Sequence, residues 1–183
     1  MRKIVVYPNQ SLREVSEKIE KVDSKLLSEI DDLKKMLIES DNGAGLAAPQ
    51  IGINRRFFGL KKGKIIKVLI NPQILGTWGE RVLPMMASEQ GEEEFLEGCL
   101  SFPDIFGQVR RYLKIKVSWH ELIEGKLVSF EKVLSGFEAI VWQHESDHLD
   151  GVLFVDYLKK EGGKVYRWVG KVKEEISIKE VLA

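Results

Sequence analysis

His144 and His148 stand four residues apart with Glu145 beside the first, and this short stretch constrains the fold more than any other part of the chain. On a helix, side chains at i and i+4 lie about 40° apart around the axis, with Cβ atoms roughly 5–6 Å from each other, so both imidazoles can reach one ion. Glu145 sits about 100° further round, poorly placed to be a third ligand but able to reach a water beside that ion. The fold must therefore seat a helix here and bring another donor onto it from elsewhere in the sequence, since open metal sites use three protein ligands.

The remainder of the chain sets the frame. With 183 residues, it can hide roughly 70 % of its unfolded surface in one core, and we read residues 1–183 as a single catalytic domain. The 28 basic and 28 acidic residues balance, which is unlike a general nucleic-acid binder. No apolar run approaches the roughly 20 residues that span a bilayer, and the start Met1-Arg2-Lys3-Ile4-Val5-Val6 is too short for a secretory core. A cytoplasmic protein without membrane or specific nucleic-acid partners is expected. Cys99 is the only cysteine, so no intrachain disulfide exists and the thiol is free for other chemistry.

Leu26, Ile30, Leu33 and Leu37 recur at helical spacing between Asp23 and Ser40, with Asp23 or Ser24 as cap and Asp41-Asn42-Gly43 as stop. Gly43 to Gln50 holds two glycines and a proline and reads as a shaped loop. Strands are expected from Arg56 to Leu60 and from Lys64 to Ile70, the latter ending at Asn71-Pro72. The stretch from Gly76 to Glu94 reads as a solvated loop or short hairpin. Leu113, Ile115, Val117 and Trp119 alternate with polar residues, and a turn at Glu124-Gly125 returns Leu127 to Val133 as a hairpin partner. Ser135 and Glu138 have capping-box spacing ahead of the histidine helix, which should end at Gly151. Phe137, Ile140, Val141, His144 and His148 share one inward stripe of that helix. Lys164 to Leu182 reads as a terminal helix.

Two sources could supply the third ligand: the thiol in Glu97-Gly98-Cys99-Leu100-Ser101, or a downstream carboxylate at Glu174 or Glu175. A thiolate with two imidazoles suits a borderline-soft divalent ion, Fe²⁺ or Zn²⁺, with Ni²⁺ or Co²⁺ as further candidates. A water polarised by that ion, with its proton accepted by Glu145, would attack a carbonyl carbon. The developing oxyanion needs donors, for which Gln50 and the backbone N–H of Leu100 are candidates. Glu97 and Arg111 could form a charged pair behind the ligands.

Three segments, Gly43 to Gln50, Glu97 to Ser101 and Gln143 to Gly151, together resemble the three motifs of the peptide deformylase family, in that family's order. Similarity extends over roughly residues 2 to 160, through Arg2 to Pro8, Leu69 to Pro72 and Leu153 to Tyr157. The resemblance implies an α+β fold with antiparallel strands packed around a central helix carrying the two histidines, and a C-terminal helix. It implies hydrolytic removal of the formyl group, as formate, from N-formylmethionyl nascent chains. By the same likeness Cys99, His144 and His148 match the metal ligands, Glu145 the acid/base, and Gln50 with the Leu100 amide the formyl-oxygen donors. Fe²⁺ is the ion the family often uses. Phe95, Phe137, Ile140 and Val141 match the methionine pocket, while backbone at Ala44, Gly45 and Gly98 would hold an extended peptide. Ala44 stands where a larger aliphatic is usual, leaving a roomier mouth, and Asp104 stands where glycine is common. Residues 159–183 carry seven basic and four acidic side chains, and a transient ribosome contact through them is a further expectation.

Overall fold

A computed structural model of the chain describes residues 2–40, 43–88, 91–170 and 172–183. In chain order the strands are β1 (Gly45–Ala47), β2 (Phe57–Lys62), β3 (Ile65–Trp78), β4 (Met85–Ser88), β5 (Gly91–Glu94) and β6 (Glu97–Cys99). There follow β7 (Phe102–Gly107), β8 (Lys114–Ile123), β9 (Lys126–Ser135), β10 (Val165–Val169) and β11 (Val172–Ile176). The helices are α1 (Ser24–Glu39), α2 (Phe137–Leu149), α3 (Phe154–Glu161) and α4 (Ile178–Leu182). Among the described residues these form a five-stranded sheet ordered β1-β2-β3-β8-β9, a four-stranded sheet ordered β11-β10-β7-β6, and the separate pair β4-β5. All these ladders are antiparallel. The architecture is the expected α+β arrangement with a C-terminal helix.

α1 forms as its periodicity dictates. The Asp23 carboxylate accepts from the Leu26 amide, and Leu26, Ile30, Leu33 and Leu37 are buried against the large sheet. Of the expected stop signal, Asp41 and Asn42 lie outside the described residues. The β8–β9 hairpin follows its pattern from Ile115 on: Ile115, Val117 and Trp119 face the core, Leu113 lies exposed ahead of β8, and Glu124 and Gly125, at φ 49° and 77°, make the mirror-image turn that strand twist favours.

Five readings need correction. The glycine-rich stretch is not only loop, because β1 pairs with β2 before the chain tightens into a 3-10 turn at Ala48–Ile51. β3 runs through Asn71-Pro72 instead of ending there. Register shifts absorb the proline, and Asn71, at φ 50°, is held by hydrogen bonds of 2.9 and 2.8 Å with the backbone of Ile19. Ser135 ends β9 and does not cap α2. The cap position is Gly136 at φ 59° and ψ −137°, which turns the chain from strand directly into helix, and Glu138 pairs with Lys132 instead. α2 is buried on several sides, with Ala139, Trp142, Gln143, Ser146 and Leu149 enclosed, whereas Phe137 is 42 % exposed. The stripe from Phe137 to His144 thus borders a cleft, and the expected inward placement fails at Phe137.

The largest correction lies at 164–182. That segment is a hairpin, β10–β11, followed only by the short α4. Val165, Arg167 and Val169 alternate with Tyr166 and Trp168, a period of two that packing converts into a strand once β10 finds the free edge of β7. Gly162 and Gly163, both at positive φ, break α3 ahead of it. The stretch from Gly76 to Glu94 holds the end of β3, a connection in which Val82 bridges Arg111, and the expected short hairpin, β4–β5, while Glu89 and Gln90 lie outside the described residues.

Candidate metal centre

α2 presents His144 and His148 one turn apart, with ring centroids 5.0 Å from each other. β6 approaches that helix from the second sheet, and a register shift between Gly98 and Cys99 re-aims the thiol. Donor atoms of Cys99, His144 and His148 lie within 4.8 Å of one another, and Cys99 Sγ is 3.2 Å from His148 Nε2. Glu174 and Glu175, the other possible sources of a ligand, lie exposed on β11, where Glu175 pairs with Lys164.

The back of the site is built from charge. His144 Nδ1–H donates to Glu97 Oε2 at 2.9 Å, which leaves Nε2 for the ligand cluster. Arg111 grips Glu97 through Nε (2.6 Å) and Nη2 (2.9 Å) and reaches Asp147 through Nη1 (2.6 Å). The Tyr157 hydroxyl donates to the other Asp147 oxygen at 3.1 Å. Burial opposes charge on Glu97, but the Arg111 guanidinium and then His144 hold its carboxyl down at about 2. The pairing expected of Glu97 and Arg111 is therefore present, whereas Asp147 and Tyr157 carried no sequence signal linking them to it.

Glu145 has a different environment. Burial, and then repulsion from Glu97 and Asp147, push its carboxyl up to about 7 against the opposing pull of His144. Its Oε2 is buried without a hydrogen-bond partner among the described residues. A Cβ on Gly45 would lie only 2.5 Å from Glu145 Oε1, so the glycine of β1 is what lets that carboxylate sit against the strand. Gln50, in the 3-10 turn, accepts from the Ala47 amide through Oε1 at 2.8 Å. This turns Nε2 toward Cys99 Sγ (3.4 Å) and Ser101 Oγ (3.3 Å). The Leu100 amide makes no hydrogen bond among the described residues.

These groups open onto a cleft of about 540 Å³. Cys99, Leu100, Gln50, His144 and Glu145 line it, while His148 lies behind them. Phe95, Phe137, Ile140 and Val141 form an apolar wall, with Phe95 and Phe137 edge to face at 5.6 Å. Ala44, Gly45 and Gly98 lie along its two sides. Phe102, Pro103, Asp104 and Phe106 of β7 add a wall that could not be read from the sequence, because it depends on how β6 and β7 pair. His120 lies away from the site, half-buried on β8.

A thiol and two imidazoles converging beside an unpartnered buried carboxylate, with one side open to a cleft, fit a divalent ion with a free coordination position. A model of the polypeptide deformylase family matches residues 1–164. Peptide deformylase 1 of Clostridium acetobutylicum is 41 % identical over 165 residues, covering 89 % of this chain and 98 % of the relative. The peptide deformylase of Thermotoga neapolitana is 38 % identical over 159 residues, covering 87 % and 88 %. Among solved structures, the crystal structure of peptide deformylase from Thermotoga maritima is similar with a TM-score of 0.72 at 38 % identity, covering 86 % of this chain and 97 % of that one.

Proposed function

The chain belongs to the peptide deformylase family of hydrolases, which remove the N-terminal formyl group from nascent peptides, and from that premise we propose how its own residues do so. The carrying observation is the convergence of the Cys99, His144 and His148 donors within 4.8 Å, next to Glu145. We assign one divalent ion to these three side chains, Fe²⁺ natively, with Zn²⁺, Ni²⁺ or Co²⁺ as replacements. When bound, the ion supplies Lewis-acid activation of water and of the formyl carbonyl.

Glu145 accepts the proton of the attacking water and returns it to the departing amine. A carboxyl near neutrality serves both directions of transfer. Gln50 Nε2 and the Leu100 amide donate to the formyl oxygen as negative charge develops there. Glu97, fixed by Arg111, keeps His144 in one tautomer and orientation. The wall of Phe95, Phe137, Ile140 and Val141 takes the methionine side chain. β1 and β6 are edge strands of their sheets, and both border the cleft at Gly45 and Gly98, so an extended peptide can pair with exposed backbone there. Residues 1–183 act as one catalytic domain in this reading.

No helix among the described residues is long and apolar enough to cross a membrane. We place the enzyme in the cytoplasm beside nascent chains, with transient ribosome contact through residues 159–183 and no specific nucleic-acid partner. Cosedimentation with ribosomes that survives both high salt and truncation of that segment would remove this contact from the proposal.

Anaerobic purification should yield about one divalent ion per chain, and the loaded enzyme should release formate from a formyl-Met peptide without internal cleavage. Internal cleavage, or tight binding without formate, would overturn the assignment. Gly45→Ala provides a more local test, because the added methyl must displace Glu145. A displacement of this size should slow turnover by about 10²-fold while metal content holds, as measured by formate release and metal analysis.

A further inference from the structure

The cleft-side face of the second sheet continues past the cleft. Paired residues on neighbouring antiparallel strands share a face, as do alternate residues along one strand. Gly98 on β6 pairs with Phe106 on β7, and Phe106 pairs with Tyr166 on β10. A Cβ on Gly98 would lie 2.6 Å from the Phe106 ring, and both residues line the cavity, so this is the cleft side. Tyr166 extends that side outward, and Trp168, two residues on, extends it again. The opposite side carries Val165, buried in the core cluster that includes α3, and Ile176, packed against it, while Ile105 belongs to that cluster and also borders the cavity.

The outer strip is available. Trp168 is 39 % exposed, and Lys173, its partner on β11, holds its ammonium 4.9 Å from the Tyr166 ring centre. Neither the ligand cluster nor the formyl-oxygen donors use these residues, which lie beyond the family match ending at residue 164.

We propose that the Tyr166–Trp168 face is a docking strip for the part of the substrate polypeptide that follows the residues held in the cleft. This inference rests on the reading that the cleft takes N-formyl peptides. The occupant is an extended, unfolded chain, and continuity identifies it: a polypeptide gripped at its formyl end must leave the cavity across a rim, and the rim at Phe106 runs unbroken onto Tyr166. Apolar contact with aromatic rings suits such a substrate because it does not read one particular side chain.

The test compares kcat/KM for formate release from a formyl-Met dipeptide and from a formyl-Met decapeptide with apolar side chains in its second half. The native holoenzyme should favour the decapeptide about fivefold, the scale of one aromatic contact. Trp168→Ala should bring that ratio close to one, and Trp168→Phe should retain it. In the native enzyme, an excess of the decapeptide's second half alone should slow the decapeptide reaction and leave the dipeptide reaction unchanged. A native ratio near one, a ratio unmoved by Trp168→Ala, or equal inhibition of both substrates overturns the proposal. A dimer in sedimentation that Trp168→Ala dissociates would give the face to a second copy, with the same consequence. Absence of formate from both peptides would instead sink the deformylase reading beneath it.

Discussion

Glu145→Gln leaves the ion bound and slows formate release by about 10²–10⁴-fold, the span of a positioned acid/base. The substitution keeps shape and burial but removes the carboxylate that the proposed mechanism uses to carry a proton between the attacking water and the leaving amine. Glu145 lies in the cleft wall, with Oε2 lacking a partner and burial raising its carboxyl to about 7. Glutamine retains a hydrogen-bonding oxygen but cannot accept that proton. Because Cys99, His144 and His148 are untouched, metal content should match that of the parent chain. The measurement is formate release under saturating peptide alongside metal analysis. A loss below about tenfold would mean that another group moves the proton, and loss of the ion would make Glu145 a ligand.

The parts legible in the sequence were those governed by local periodicity. Asp23 with Leu26, Ile30, Leu33 and Leu37 specifies α1 because cap and stripe lie within a few turns of each other. The spacing of His144 and His148 likewise put two imidazoles within reach of one position, and their ring centroids lie 5.0 Å apart. Cys99 differs: nothing near it in sequence says that β6 will lie against α2, so residue types left Glu174 and Glu175 open and only the three-motif resemblance favoured the thiol.

Where neighbours in space decide, local reading failed. Tyr166 and Trp168 sit in a charged segment that a helix could also accommodate, and the free edge of β7 made it a strand. Ser135 has the spacing of a capping box, yet the strand-to-helix corner demanded the backbone freedom of Gly136. Asp147 gave no hint of its bond to Arg111, since that contact joins α2 to the segment between β7 and β8. The functional motifs were therefore more legible than the scaffold that orients them.

That scaffold supplies the second large effect. Arg111→Leu should lower stability by about 3–5 kcal/mol, the usual result of breaking a buried ion pair from one side. Arg111 and Glu97 are 2 % and 3 % exposed, and three hydrogen bonds link the guanidinium to Glu97 and Asp147. Leucine would leave both carboxylates without their counter-charge, one enclosed and the other largely so. For a chain of this size that corresponds to a fall in melting temperature of roughly 6–20 °C. The same change frees Glu97 to move, so His144 loses the partner that fixes its ring, and metal affinity should drop about 10–100-fold. Adding Glu97→Gln to Arg111→Leu separates the two consequences. Replacing the buried charge by an amide should recover part of the stability, whereas the ion should stay weakly held because the charged acceptor behind His144 is gone. Thermal unfolding of the metal-free chain reads the first quantity, and competition with a chelator reads the second. If metal affinity recovered in step with stability, Glu97 would be holding the fold together and would have no separate hold on the ligand.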